Sequence, residues 1–388
     1  MSTSSHGRLV ALSVALFTVF GAALTLTGTL LPQLIAHFGL SYGEAGTLQV
    51  SSQVGYLAAI VLSGWLSARI DGRMMLLAAI VLSLVGYGAF SLAPSFPAAC
   101  ALMIVGGAGG GAIEVIINAV VMKLSETRRS NLLNFIHLFF GVGAFIGPAV
   151  IGRLLALGVT WNWFYFGTAV CWTALLLGTL ACRFPSIKPV ETASAEPARS
   201  VFSLPLARVL FLVLTLYVGL ELGVGGWVTT YLVHHEGMAA SYAAYSASAF
   251  WLGIAGGRLI LGVIGHRWHE SGILTILAAF SAACLLAAVL VPSPFAAALF
   301  LALTGLGYSG IYPTTVSFGG GAYPEQSTPV TALLVTGGGI GAVAFPWLMG
   351  HISDGFGLRG GMVFYIVLNI LLLGFILTAR RMHSRAHT

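Results

Sequence analysis

The 388-residue chain carries only 28 formal charges, 17 basic and 11 acidic, where a soluble domain of ordinary composition would hold roughly 97 at this length. Hydrophobic residues make up 58 % of it and the mean hydropathy is +0.96. So much apolar surface cannot be hidden in one aqueous core, which excludes a soluble globular protein and makes lipid the solvent.

A membrane-spanning helix needs about 20 apolar residues. The first apolar run follows Arg8 and reaches Leu31; it is too long for a signal-peptide core and is read as a span. Apolar runs between turn signals then predict spans near 9–31, 45–68, 74–93, 97–122, 132–156, 160–182, 205–233, 241–264, 272–291, 294–318, 328–351 and 359–379. The one long polar segment, 183–204, is rich in Pro, Glu, Ala and Ser and is expected to be a cytoplasmic linker. It separates an N-terminal six-helix half, 1–182, from a C-terminal one, 205–388. The expected fold class is an all-α integral membrane protein of twelve transmembrane helices. Two such halves around a central cavity are a transporter plan, and neither enzymatic chemistry nor a cofactor is expected.

The net charge of +6 does not indicate nucleic acid, whose binders cluster Lys and Arg on one solvated face. Here Arg8, Arg69, Arg73, Lys123, Arg128, Arg129, Arg183, Lys188, Arg199, Arg208, Arg267, Arg380, Arg381 and Arg385 fall at every second helix boundary, and the alternate boundaries hold only Arg153 and Arg359. This positive-inside asymmetry predicts that both termini are cytoplasmic, in the inner membrane. Cys100, Cys171, Cys182 and Cys284 lie within apolar runs without metal or redox spacing and read as packing residues. Glycine, at 50 residues, is concentrated inside the spans, as in Gly106-Gly107-Ala108-Gly109-Gly110-Gly111, where small residues let helix backbones approach closely.

An ionisable residue well inside a span is costly and therefore a functional candidate. Two acids qualify, Glu114 in span 4 and Glu221 near the middle of span 7. A carboxyl group can take a proton on one side of a membrane and release it on the other, as a proton-coupled carrier requires. Asn118 is one helical turn after Glu114, and counting back from the short 4–5 loop puts His137 level with Glu114 and Asn134 one turn nearer the cytoplasm. Glu114, Glu221 and His137 are the expected proton-coupling groups. Gln49, Gln53 and Tyr56 form a polar stripe in span 2, and Tyr308, Tyr312 and Thr315 form one in span 10. Amides and aromatic platforms suit polyol recognition, so Gln49, Gln53, Asn118, Asn134, Tyr217, Trp227, Trp251, Tyr308 and Tyr312 are the expected substrate contacts. Tyr231 and Tyr245 read as interfacial anchors, and Arg258 as a pairing residue near the cytoplasmic gate.

At the end of span 2, Gly64-Trp65-Leu66-Ser67-Ala68-Arg69-Ile70-Asp71-Gly72-Arg73 resembles the loop signature of the major facilitator superfamily, echoed after span 11 by Gly350-His351-Ile352-Ser353-Asp354-Gly355-Phe356-Gly357. Asp71 and Arg73 are the expected gating residues there. Further segments resemble the fucose-galactose-glucose:proton symporter family within that superfamily: Leu30 to Leu34, Glu114 to Asn118, Leu133-Asn134 with Phe139 to Ala144, Tyr217 to Glu221 with Gly226-Trp227, Phe250 to Gly253 through Gly257-Arg258, and Gly310 to Pro313. The resemblance implies that Glu114, Asn118 and Asn134 handle substrate and proton. Such carriers also have a span-1 aspartate where this chain has Gly28, so Glu221 is expected to supply the second carboxyl. The expected function is proton-coupled sugar uptake by a monomeric carrier working by alternating access, with a small-molecule solute, protons and the lipid bilayer as partners. Gly143-Ala144-Phe145-Ile146-Gly147-Pro148 resembles the span-5 motif of drug-proton antiporters and supports efflux of amphipathic compounds as the alternative.

Overall fold

The computed structural model describes residues 3–67, 69–124, 129–182 and 201–386, and all their regular structure is helical. Most of the expected linker, 183–200, lies outside the described residues, as do Ala68 of the loop signature and Arg128. In lipid a backbone must satisfy its own polar groups, and a helix does so within one segment. The first helices are α1 (Thr3–Phe38), α2 (Tyr42–Leu66), α3 (Gly72–Phe90), α4 (Phe96–Leu124), α5 (Arg129–Leu155) and α6 (Trp161–Ala181). They are followed by α7 (Pro205–His234), α8 (Ala240–Ile264), α9 (Glu270–Leu290) and α10 (Pro294–Ala322). The last stretch, Ser327–Ala386, is two helices joined at Gly357, whose φ of 70° and ψ of 170° no helix contains; residues 327–356 are α11 and 358–386 are α12. Twelve spans result among the described residues.

Two boundaries depart from the apolar runs. α1 continues through Pro32 to Phe38, because helical hydrogen bonding extends past the apolar run until Gly39, at φ 64°, turns the chain. α10 is broken, with Pro294–Tyr308 and Ile311–Ala322 separated at Ser309-Gly310.

The chain divides into two compact units, Met1–Leu40 with Thr47–Glu191, and Ser41–Gly46 with Thr192–Thr388. The short segment Ser41–Gly46 goes with the second because the Asp354 carboxylate accepts the backbone N–H groups of Tyr42 (2.7 Å) and Gly43 (2.9 Å).

Glycines account for the closest helix approaches, and they do so in the same pattern in both units. In the first, a methyl group on Gly55 or Gly107 would collide with Ile104 O or Ser52 O across α2 and α4, and one on Gly143 with Thr18 O across α5 and α1. In the second, Gly305 abuts Phe250 O across α10 and α8, and Gly341 abuts Thr215 O across α11 and α7. Second with fourth and first with fifth is thus the pairing in each unit, an internal repeat written in small residues.

The expected gating residues have local partners. Asp71 caps α3, its carboxylate accepting the Arg73 N–H at 3.0 Å, and Arg73 Nη2 donates to the Leu180 carbonyl at 2.8 Å near the end of α6. Loss of a helix cap costs about 1 kcal/mol. Asp71→Ala should therefore lower thermal stability modestly in detergent, whereas Asp71→Ser should hold it; equal melting temperatures for wild type and the alanine variant would contradict the capping role.

Candidate functional site

In the first unit the chemistry gathers on α2, α4 and α5. Glu114 is half-buried, and its carboxylate accepts the Tyr56 O–H at 2.6 Å. The length is that of a charge-assisted hydrogen bond. The Tyr56 ring in turn stacks on Phe20 of α1, with centroids 6.1 Å apart and planes at 19°. One turn along α4, Asn118 Oδ1 lies 3.1 Å from His137 Nε2, and His137 packs edge-on against Phe17 at 4.9 Å. Phe140 completes the aromatic wall against Phe20 at 5.3 Å. The glycines set this geometry: Gly107 and Gly111 bring the α4 backbone against Ser52 and Tyr56 of α2, and Gly110 leaves room for the Phe20 ring.

This differs from the expectation in one respect. His137 meets Asn118, one turn from Glu114, and the partner of Glu114 is Tyr56. Residue counting from a loop cannot resolve one helical turn, and it compares only helices adjacent in the chain, so the Tyr56 contact across 58 positions was out of its reach. Asn134 is exposed and Gln53 is half-buried. Both polar ends of the Gln49 side chain are buried without a hydrogen-bond partner.

In the second unit, Arg258 and Glu221 form an ion pair, Nη2 to Oε1, at 3.2 Å. Arg258 Nε also donates to the Ser309 carbonyl at 3.2 Å. That carbonyl sits where α10 breaks, so the cation satisfies the exposed end of a half-helix, a favourable site for positive charge. Tyr217 is buried one turn before Glu221 and lies edge-on to Tyr308 at 6.1 Å and tilted against Tyr312 at 6.5 Å. Tyr308 is itself held, its hydroxyl accepting Asn369 Nδ2 at 2.9 Å while Ser281 Oγ donates to Asn369 Oδ1 at 3.2 Å. Asn369 was not among the expected residues. A fully buried amide in an apolar span is itself a signal, but its partners lie on α9 and α10.

Trp227 and Trp251 are buried, and the Trp227 indole N–H donates to the Pro346 carbonyl at 3.1 Å, next to a proline that removes a helical donor from α11. Tyr231 is fully buried and stacks on His235 at 5.1 Å. It is therefore not the interfacial anchor expected from its place near a helix end, whereas Tyr245 is 39 % exposed.

The model of the Major Facilitator Superfamily matches residues 12–327. The chain belongs to the major facilitator superfamily. It is thus a multi-pass membrane transporter and not an enzyme. A protein described as a TsgA homolog, from Edwardsiella ictaluri (strain 93-146), is 25 % identical over 401 residues that span all of both chains. A mutant form of the nucleoside transporter NupG superposes with a TM-score of 0.81 at 13 % identity, covering 97 % of this chain and 99 % of that one. The superfamily transporter FucP gives a TM-score of 0.63 at 20 % identity, over 97 % and 99 %. At these identities the structural likenesses describe the fold, which a superfamily member shares across many solutes.

Proposed function

We propose that this superfamily member is a proton-coupled importer of a sugar or similar small polar solute, working by alternating access in the inner membrane with both termini cytoplasmic. The observation that carries the reading is the Tyr56–Glu114 pair beside Asn118–His137 under the aromatic wall of Phe17, Phe20 and Phe140. It joins a membrane carboxyl, an amide and an imidazole to aromatic faces, the set of groups that bind hydroxyl-rich solutes and move a proton. The likeness to FucP supports it at the level of fold. Glu114 is the proposed proton carrier. Asn118 and His137 are the proposed solute contacts, with Gln49, Gln53 and Asn134 lining the same unit. In the second unit Tyr217, Trp251, Tyr308 and Tyr312 are the proposed aromatic lining around the Glu221–Arg258 pair.

The α5 glycines that support the antiporter alternative also have a packing reason of their own: Gly143 and Gly147 lie against Thr18, Ala22 and Thr25 of α1.

The test is accumulation of labelled hexoses, pentoses, polyols and sugar acids in proteoliposomes under an inward proton gradient, with and without a protonophore. Protonophore-sensitive accumulation of at least one solute is expected. Resistance of expressing cells to toxic cations, with no solute accumulated, would contradict it.

A further inference from the structure

Among the described residues, Arg258 is the arginine that pairs with a carboxylate inside a span. It follows the buried Trp251 and Ile254 by two turns and one turn on α8, while the exposed Leu252, Leu259 and Val263 mark the opposite, lipid-facing side. The guanidinium therefore projects from the packed face of the helix. Even so, 44 % of its side chain is accessible, against 11 % for Glu221. The cation is thus the more accessible member of the pair.

The pairing leaves room for a visitor. Nε is committed to the Ser309 carbonyl and Nη2 to a single oxygen of Glu221 at 3.2 Å, so these bonds use two of the five N–H donors of a guanidinium. A planar, two-bond fork is the strong mode of Arg–carboxylate pairing, and this one is single and long. Glu221 thus takes one long bond from the guanidinium, with the Tyr217 side chain beside both groups, while the bond to Ser309 at the break in α10 keeps the guanidinium in place whichever anion it binds. The titratable side chains beside the pair are Tyr217 from α7 and Tyr308 and Tyr312 from α10. These are neutral hydrogen-bonding rings at ordinary pH, so among the described residues no second acid competes for the site.

We infer that Arg258 is a specificity-determining residue that receives a carboxylate of the solute, and that Glu221 is the resident carboxylate which the solute replaces. The transported class is then polyhydroxy acids, with the acid group received by Arg258. This inference rests on the proposed function, narrowing its solute from sugars to sugar acids.

The probes are D-glucuronate and D-glucose, which differ at one terminal carbon, assayed by binding and by uptake with the full chain in proteoliposomes. Glucuronate should be preferred roughly tenfold or more, the equivalent of one additional charge-assisted hydrogen bond. Arg258→Gln should erase the preference, Arg258→Lys should reduce it, and Glu221→Gln should tighten glucuronate binding several-fold by removing the competitor. The double variant Glu221→Gln with Arg258→Gln leaves no unpaired charge and guards against misfolding; it should bind both sugars equally. Equal binding of the two sugars by wild type, or a preference unaltered in Arg258→Gln, would overturn the inference. Proton-driven uptake of glucose alone would overturn it while leaving the proposed function intact. Failure to bind either sugar, with no proton movement, would overturn both.

Discussion

Glu114→Gln is expected to abolish proton-driven accumulation of solute while leaving solute exchange in place. The amide has the shape of the carboxylate, and its oxygen still accepts the Tyr56 O–H, so the α2–α4 contact and the Phe20 stack survive. What disappears is the titrating group. Accumulation under an imposed proton gradient should fall roughly tenfold or more, toward the equilibrated level, since among the described residues of the first unit no other carboxyl lies well inside a span to carry the coupled proton. Counterflow, in which preloaded unlabelled solute drives entry of labelled solute at equal pH, should persist within about threefold, the scale of one exchanged neutral hydrogen bond. Tyr56→Phe makes the complementary change. It keeps the ring on Phe20 and the carboxyl on α4 but removes the hydrogen bond between them, and it should shift the pH profile of uptake without eliminating coupling. Full accumulation by Glu114→Gln would remove this residue from the mechanism.

The second large effect concerns stability and geometry together. Gly107→Ala would push a methyl group into Ser52 O, and Gly55→Ala would push one into Ile104 O, backbone atoms that cannot rotate away. Overpacking of this kind typically costs about 1–3 kcal/mol. The helices forced apart are the two that carry Tyr56 and Glu114, so thermal stability and transport should fall together in either variant. Gly64→Ala is the control on the same helix: nothing stands within 4 Å of its added methyl group, and alanine is the better helix former. It should be neutral or slightly stabilising. A Gly107→Ala protein that melts and transports like wild type would mean that α2 and α4 do not need their close approach.

The twelve spans were legible because lipid imposes a length of apolar residues that the sequence must display openly. Their irregularities were less so. The break at Ser309-Gly310 interrupts no apolar run, since glycine and serine are common inside spans for packing reasons as well, whereas the joint at Gly357 falls in the turn expected between 351 and 359. Glu114 and Glu221 stood out for the cost of a charge in hydrocarbon, a property of one residue in its own window. Their partners are properties of register between helices distant in sequence: Tyr56 across 58 positions, Arg258 across 37, and Asn369 with Tyr308 across 61. Arg258 shows this most plainly. Its place in span 8 could be read, but its meeting with Glu221 could not.

Whether solute and proton move together through this protein can be measured without a mutant. Purified protein in proteoliposomes, loaded with a pH-sensitive dye and given labelled solute from the accepted class with no imposed gradient, reports both fluxes at once. The account predicts that the lumen acidifies in step with solute entry, at a fixed ratio that holds across solute concentrations. Solute entry at an undiminished rate with no change in lumenal pH would contradict it.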